Sequence, residues 1–208
     1  MIGGDGLSGG ISSTIAGGDF WKGMRQGLIV SGLNHAMHMV IEGDKVKNAL
    51  KKADLDPFTD FTKLPSEEWT KEFAEKVFPE LSIEAGNPNY SIKDQLTDEN
   101  GRSVNGKSHY SYKEVNGKYT ITSKNVISLS KNVFLSYYSL ASTMGHELIH
   151  MTHYYSGVYQ TWANKYTQDG ARAISEIFAH DFNKGGFLYN AQEHNKYINL
   201  AKDNKWNY

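Results

Sequence analysis

The chain has 208 residues, enough for one domain with a substantial core and an additional segment. Its 22 Lys and Arg stand against 23 Asp and Glu, a formal net charge of -1, so it lacks the basic surplus with which proteins grip nucleic-acid phosphates. Cysteine is absent, which excludes a disulfide framework, a thiolate metal site and a cysteine nucleophile, and leaves eight histidines and the carboxylates as metal donors.

Glycine is distributed unevenly, with 11 of the 20 lying in residues 1–43. That segment has no basic n-region, and Asp5 and Asp19 interrupt it, so it does not read as a secretory signal peptide. Its most apolar stretch, Gly27 to Ile41, contains Asn34, His35 and His38 and is too short to span a bilayer, so no stable membrane insertion is expected. Leu28, Ile29, Leu33, Met37 and Ile41 can form one face of an amphipathic helix. The string GGISSTIAGGDFWKGMRQGLIVSGLNHAMH resembles the glycine-rich segment that precedes the variable toxin domain of bacterial polymorphic toxins, including Rhs-type proteins. The resemblance implies a connector over 1–43 and a C-terminal toxin domain over 44–208. It also implies secretion or delivery into a target cell by a dedicated machine, and a small cognate immunity protein as partner.

From Asp44 the composition becomes that of a globular domain. Ser66 caps a helix whose apolar residues Trp69, Phe73 and Val77 step by four, with Pro79 as its stop. Between 86 and 107 the chain is polar and turn-rich and reads as irregular surface structure. SHYSYKEVNGKYTITS then places Asn116-Gly117 between two runs rich in Tyr and Thr, the pattern of a tight hairpin, and Val126 to Leu129 reads as a further short strand. Helices dominate the remainder, and a C-terminal segment with Tyr197, Leu200 and Trp206 closes the core. The expected fold class is α+β, with a small antiparallel sheet beside two helices.

Val133 to Tyr155 carries the chemistry. At helical spacing, Tyr137, Leu140, Ala141, Met144, Leu148, Met151 and Tyr155 share the arc expected to be buried. His146, His150 and His153 lie opposite, on a polar stripe with Ser139 and Thr143. His146-Glu147-Leu148-Ile149-His150 is an H-E-x-x-H sequence. Residues i and i+4 project from successive turns, so both imidazoles can reach one Zn²⁺, while Glu147 lies beside the ion's water as a base.

The motif resembles the zincin metallopeptidases, most closely the gluzincin pattern, whose third ligand is a glutamate on a later helix. That resemblance points to Glu176, on a helix begun near Asp169-Gly170 and ended at Gly185-Gly186. Ile174, Phe178 and Phe182 would form its apolar side, with Glu176 and His180 opposite. An i, i+4 pair between Arg172 and Glu176 is the competing use of that carboxylate. Gluzincins often carry an aspartate four residues after the ligand glutamate, to support a ligand histidine; here the position holds His180, with Asp181 next. His180 and His153 remain alternative helpers or ligands.

The oxyanion donor is open among Tyr154, Tyr155, Tyr159, Tyr189 and His180. By the same resemblance, Val126, Ile127, Ser128 and Leu129 are expected to form a strand edge that holds an extended protein or peptide substrate. The expected function is zinc-dependent peptide hydrolysis with His146, His150 and Glu176 as ligands and Glu147 and His180 as catalytic residues. The alternatives are a toxin hydrolase acting on nucleic acid or cell wall, and a non-catalytic partner-binding end domain; the balanced charge speaks against nucleic acid.

Overall fold

The computed structural model describes residues 44–186 and 188–206, so the expected connector, its amphipathic helix and His35 and His38 lie outside the described residues. The described residues form an α+β fold with six α-helices and a small mixed sheet, together with a two-stranded hairpin.

Helix α1 (Lys45–Lys52) is capped by the Asp44 side chain, which accepts from the Lys47 N–H. Helix α2 (Glu67–Val77) starts as expected at Ser66, whose hydroxyl accepts from the Trp69 N–H at 3.1 Å, and it buries Phe73, Ala74 and Val77. Pro79 does more than stop α2: it opens α3 (Pro79–Glu84) in the first turn, where a missing N–H costs nothing.

The stretch expected to be irregular contains β1 (Asn89–Lys93), β2 (Leu96–Thr97), β3 (Ser103–Val104) and the start of β4 (Gly106–Val115). Two-residue strands are too short to show a period, and in β1 only Tyr90 and Ile92 alternate with polar residues, too brief a signal among turn-rich neighbours to be read from sequence. Strand β4 turns into β5 (Lys118–Ser130) at Asn116-Gly117, both with positive φ (53° and 72°), the backbone a two-residue hairpin turn needs. Val126–Leu129 is the far half of β5, not a separate strand. The ladder with β4 shifts register between His109 and Tyr110 and again between Ser111 and Tyr112, and these irregularities break the pattern along β5.

The sheet order is β1-β5-β4, with β1 parallel and β4 antiparallel to β5. The expectation of a wholly antiparallel sheet is therefore corrected. β1 and β5 are separated by the β2–β3 hairpin and β4, and that distant pairing leaves no trace in local sequence.

Three helices complete the domain: α4 (Tyr137–Ser156), α5 (Val158–Asn183) and α6 (Ala191–Asp203). Ser136 caps α4 by accepting from the Ser139 N–H, while the Tyr137 and Tyr138 N–H groups donate to the carbonyls of Thr59 and Pro57. Gly157 (φ 80°) ends α4 and turns the chain into α5. α5 is kinked at Thr167 (φ 75°), whose hydroxyl accepts from the Gly170 N–H at 3.2 Å and restarts the helix two residues before the expected Asp169-Gly170. α6 lays Tyr197 and Ala201 on Ala173, Ile174 and Ile177 of α5, with Leu200 and Trp206 at the margin of this cluster, as the C-terminal pattern predicts.

Burial around α4 departs from a one-sided helix. The predicted arc is buried at Leu140, Ala141, Met144, Leu148 and Met151, but Tyr155 is half exposed. On the stripe expected to be polar, His150 and His153 are buried, as are Ser142 and Glu147 next to it. The reason is tertiary: β4 covers the Glu147 side and α5 covers the His150 side. No helix among the described residues is long and apolar enough to cross a membrane.

Candidate metal centre

Helix geometry brings the two motif histidines together: His146 Nε2 and His150 Nε2 lie 3.2 Å apart. α5 runs back past α4 and delivers Glu176, whose Oε2 lies 3.5 Å from His146 Nε2 and 3.6 Å from His150 Nε2. The crossing is close because Gly145 leaves room for the Phe182 ring of α5. These three side chains form a cluster that could hold a metal ion, with Glu176 on the later helix as expected. Arg172 spends its guanidinium elsewhere, 3.2 Å from Glu99 at the tip of the β2–β3 hairpin.

The electrostatics suit a cation. Burial by itself pushes the Glu176 carboxyl up, but the His150 and His146 rings outweigh it and hold the group well below the usual carboxylate range. Burial lowers the His146 imidazole, and its hydrogen bond to the Glu176 carboxylate with the nearby Glu147 charge more than compensates, so its pKa is raised. The distances of 3.5 and 3.6 Å are nevertheless long for charge-assisted hydrogen bonds, which ordinarily close to about 2.7–2.9 Å. Three donor atoms facing one point without contracting onto one another are arranged as ligands are.

Glu147 is buried beside this cluster, and its position comes from β4. The Ser108 hydroxyl lies 2.8 Å from both Glu147 Oε2 and the Glu147 carbonyl oxygen, and donates its one proton there. Gly106 lies against the same side chain: a β-carbon there would come within 2.7 Å of Glu147 Cγ. The Glu147 carboxylate is thus clamped between a serine and a glycine. Neither was singled out in the sequence, since one serine and one glycine in a polar stretch carry no spacing.

Of the helpers, His180 lies nearest, its ring centroid 5.3 Å from that of His146. It also stacks on His194, and burial together with the His146 charge lowers its pKa to about 4, so it is a neutral imidazole at neutral pH. His153 is not placed as a ligand: its Nδ1 points to Ser175 Oγ at 2.8 Å, and its ring edges meet Trp162 and Phe178. His150 Nδ1 reaches the same Ser175 oxygen at 2.7 Å, and the Ala179 backbone hydrogen-bonds His146. Both motif imidazoles therefore have a hydrogen-bond partner behind them, which the missing aspartate at position 180 had left open. Ser175, immediately before Glu176, also escaped the sequence reading.

The tyrosines separate clearly. Tyr159 pairs its hydroxyl with Tyr110 at 3.0 Å, Tyr189 pairs with His194 Nδ1 at 2.7 Å, and Tyr155 is half exposed against Gly86. Tyr154 is buried and stacks on His150, and burial with the Tyr110, Glu176 and Glu147 groups keeps its phenol protonated.

The expected strand edge at Val126, Ile127, Ser128 and Leu129 is corrected. These residues are hydrogen-bonded on one side to Asn89–Ile92 of β1 and on the other to Gly106–His109 of β4. Ser128 is buried and contacts both Ser91 Oγ and His109 Nε2. A central strand has no unpaired backbone to offer. Among the described residues β1 and β4 are the two edges of this sheet, and it is β4 that lies against Glu147.

Compared with protein-family models, with curated proteins and with solved structures, the chain shows no match.

Proposed function

We propose that residues 44–208 form a zincin-like, zinc-dependent metallopeptidase that acts as the effector toxin domain of a longer polymorphic protein. The observation that carries the chemistry is the triangle of His146 Nε2, His150 Nε2 and Glu176 Oε2, with edges of 3.2, 3.5 and 3.6 Å. Tetrahedral zinc with bonds of about 2.0–2.2 Å would space its ligand atoms about 3.3–3.6 Å apart, so two edges lie in that range and the His146–His150 edge falls just short of it. Two imidazoles and one carboxylate also match the donor set of hydrolytic zinc. The toxin reading rests on the resemblance of the glycine-rich segment 1–43, and with it go delivery by a secretion machine and a cognate immunity protein.

When bound, zinc would polarise a scissile carbonyl and bring the pKa of a water towards neutrality. The chain's own residues do the rest. Glu147, held by Ser108, takes the water's proton and passes it to the leaving amine. His180, a neutral imidazole beside His146, donates an N–H to the developing oxyanion. The unpaired edge of β4 runs over Glu147 and can add an extended peptide as a further strand, in place of the Val126–Leu129 edge.

The test is Glu147→Gln. The variant should keep stoichiometric zinc and lose hydrolysis of a protein substrate by about 10²–10⁴-fold, the usual contribution of a general base. Toxicity on expression in a bacterial cytoplasm or periplasm should vanish with it. Wild-type protein without zinc, or toxicity that survives the substitution, would overturn the reading.

A further inference from the structure

The hydrogen bonding of His150 continues beyond the metal centre. Its Nδ1 lies 2.7 Å from Ser175 Oγ, and the same oxygen lies 2.8 Å from His153 Nδ1. All three residues are buried, Ser175 at 1% and His153 at 2% exposure, so no solvent competes for these bonds. The order of donors follows from counting protons. A serine hydroxyl has one, so it can donate to one imidazole and must accept from the other. His150 Nε2 faces His146 and Glu176, and to present a lone pair there the ring must carry its proton on Nδ1 and donate it to Ser175. Ser175 then donates to His153 Nδ1, and His153 keeps its own proton on Nε2.

We propose that Ser175 and His153 are positioning residues that fix the tautomer and orientation of His150 through a directed relay, His150 to Ser175 to His153. The proposal rests on the metal-site reading above. It assigns a purpose to a histidine in the motif helix that is too far along to be a ligand. Trp162 and Phe178, with ring centroids 5.0 and 5.5 Å from that of His153, hold the far end of the relay in place. Both belong to α5, as does Ser175, so the helix that brings Glu176 also sets the orientation of His150. The partner of His150 is a hydroxyl and not a carboxylate. A neutral acceptor leaves His150 a weaker donor than a carboxylate would, and so leaves a bound cation the more electrophilic.

The measurement is the zinc dissociation constant of the whole chain, by competition with a chromophoric chelator, with the His150 ring tautomer read by ¹⁵N NMR. Ser175→Ala should weaken zinc by about 10–100-fold, the usual effect of losing such a partner. His153→Phe, which keeps a ring between Trp162 and Phe178, should weaken it in the same direction. The two together should be no worse than Ser175→Ala alone, because the relay passes through the serine. His153→Asn, with an amide oxygen close to the Nδ1 position, should restore most of the affinity. Circular dichroism of the metal-free variants separates misfolding from loss of the relay, and Ser175→Ala, which removes one oxygen, carries the test if His153→Phe does not fold. Unchanged affinity in Ser175→Ala, or fully additive losses in the double variant, would overturn the relay while leaving the metal site standing. Wild-type protein that binds no zinc would instead remove the metal site and the relay with it.

Discussion

Gly106 of β4 and Glu147 of α4 are in direct contact: a β-carbon at residue 106 would lie 2.7 Å from Glu147 Cγ and 2.8 Å from its Oε1. Thr143 closes the same space, its Cγ2 2.9 Å from that position. A strand backbone can lie this close to a buried carboxylate only where it carries no side chain. Gly106→Ala must therefore push Glu147 away from its place beside the histidines. Zinc stoichiometry should be unchanged and hydrolysis should fall by about 10²-fold, the usual cost of moving a reacting group by about 1 Å. Metal analysis and kcat on one preparation check this. Unchanged kcat would show that Glu147 needs no such clamp.

Gly145 plays the corresponding part between helices. A β-carbon there would run into the Phe182 ring, so Gly145→Ala forces α4 and α5 apart. Overpacking of this kind costs about 1–3 kcal/mol, which urea unfolding of the metal-free protein would report. Because Glu176 rides on α5 and the histidines on α4, zinc affinity should fall as well.

Metal removal should be visible in stability. On the proposed reading zinc would bind the cluster of His146, His150 and Glu176, which draws on two helices and is assembled only by folding. At a free concentration 100 times the dissociation constant it adds about 2.7 kcal/mol. For a domain of this size that corresponds to a rise of roughly 5–10 °C in Tm. Thermal unfolding with zinc and with excess chelator checks this, and Glu176→Gln should shrink the difference. An identical Tm in both conditions would contradict it.

His153 contributes one separable share of the pH dependence of the metal-free protein. Burial, helped by the His150 charge, lowers its pKa from 6.5 to about 3. As pH falls through 6.5 the unfolded chain takes up a proton that the folded chain refuses until about pH 3. The unfolded state binds more protons across that window, so stability drops on acidification, by about 1.4 kcal/mol per pH unit from this group. His153→Phe should remove that share. Chemical denaturation from pH 7 to 4 should thus give a shallower slope for the variant, and equal slopes would show that His153 protonates in the folded state.

Much of the site is legible in the chain because it is local. His146 and His150 converge through the pitch of one helix, and Glu147 follows from its place between them. Ser66 capping α2 and Asn116-Gly117 turning β4 into β5 are also short-range, each decided within four residues by backbone geometry. Glu176 required more, since its helix restarts at the Thr167 kink and crosses α4 through the gap at Gly145.

What escaped is what depends on partners distant in sequence. β1 is a pentapeptide with only Tyr90 and Ile92 apolar, its parallel pairing with β5 is invisible in local sequence, and this pairing closes the edge expected at Val126–Leu129. His153 reads as exposed by helical phase, yet Trp162 and Phe178 bury it. Ser108 and Ser175 are single hydroxyls without periodicity, and they matter only through the atoms that other elements bring to them. By itself the sequence determined the donors on offer: no cysteine, and two imidazoles and a carboxylate within about one helical turn. The tertiary structure decided which carboxylate joins them, which strand edge stays open and what supports each ligand, because those depend on how elements cross, and side-chain periodicity records only which face of an element is buried.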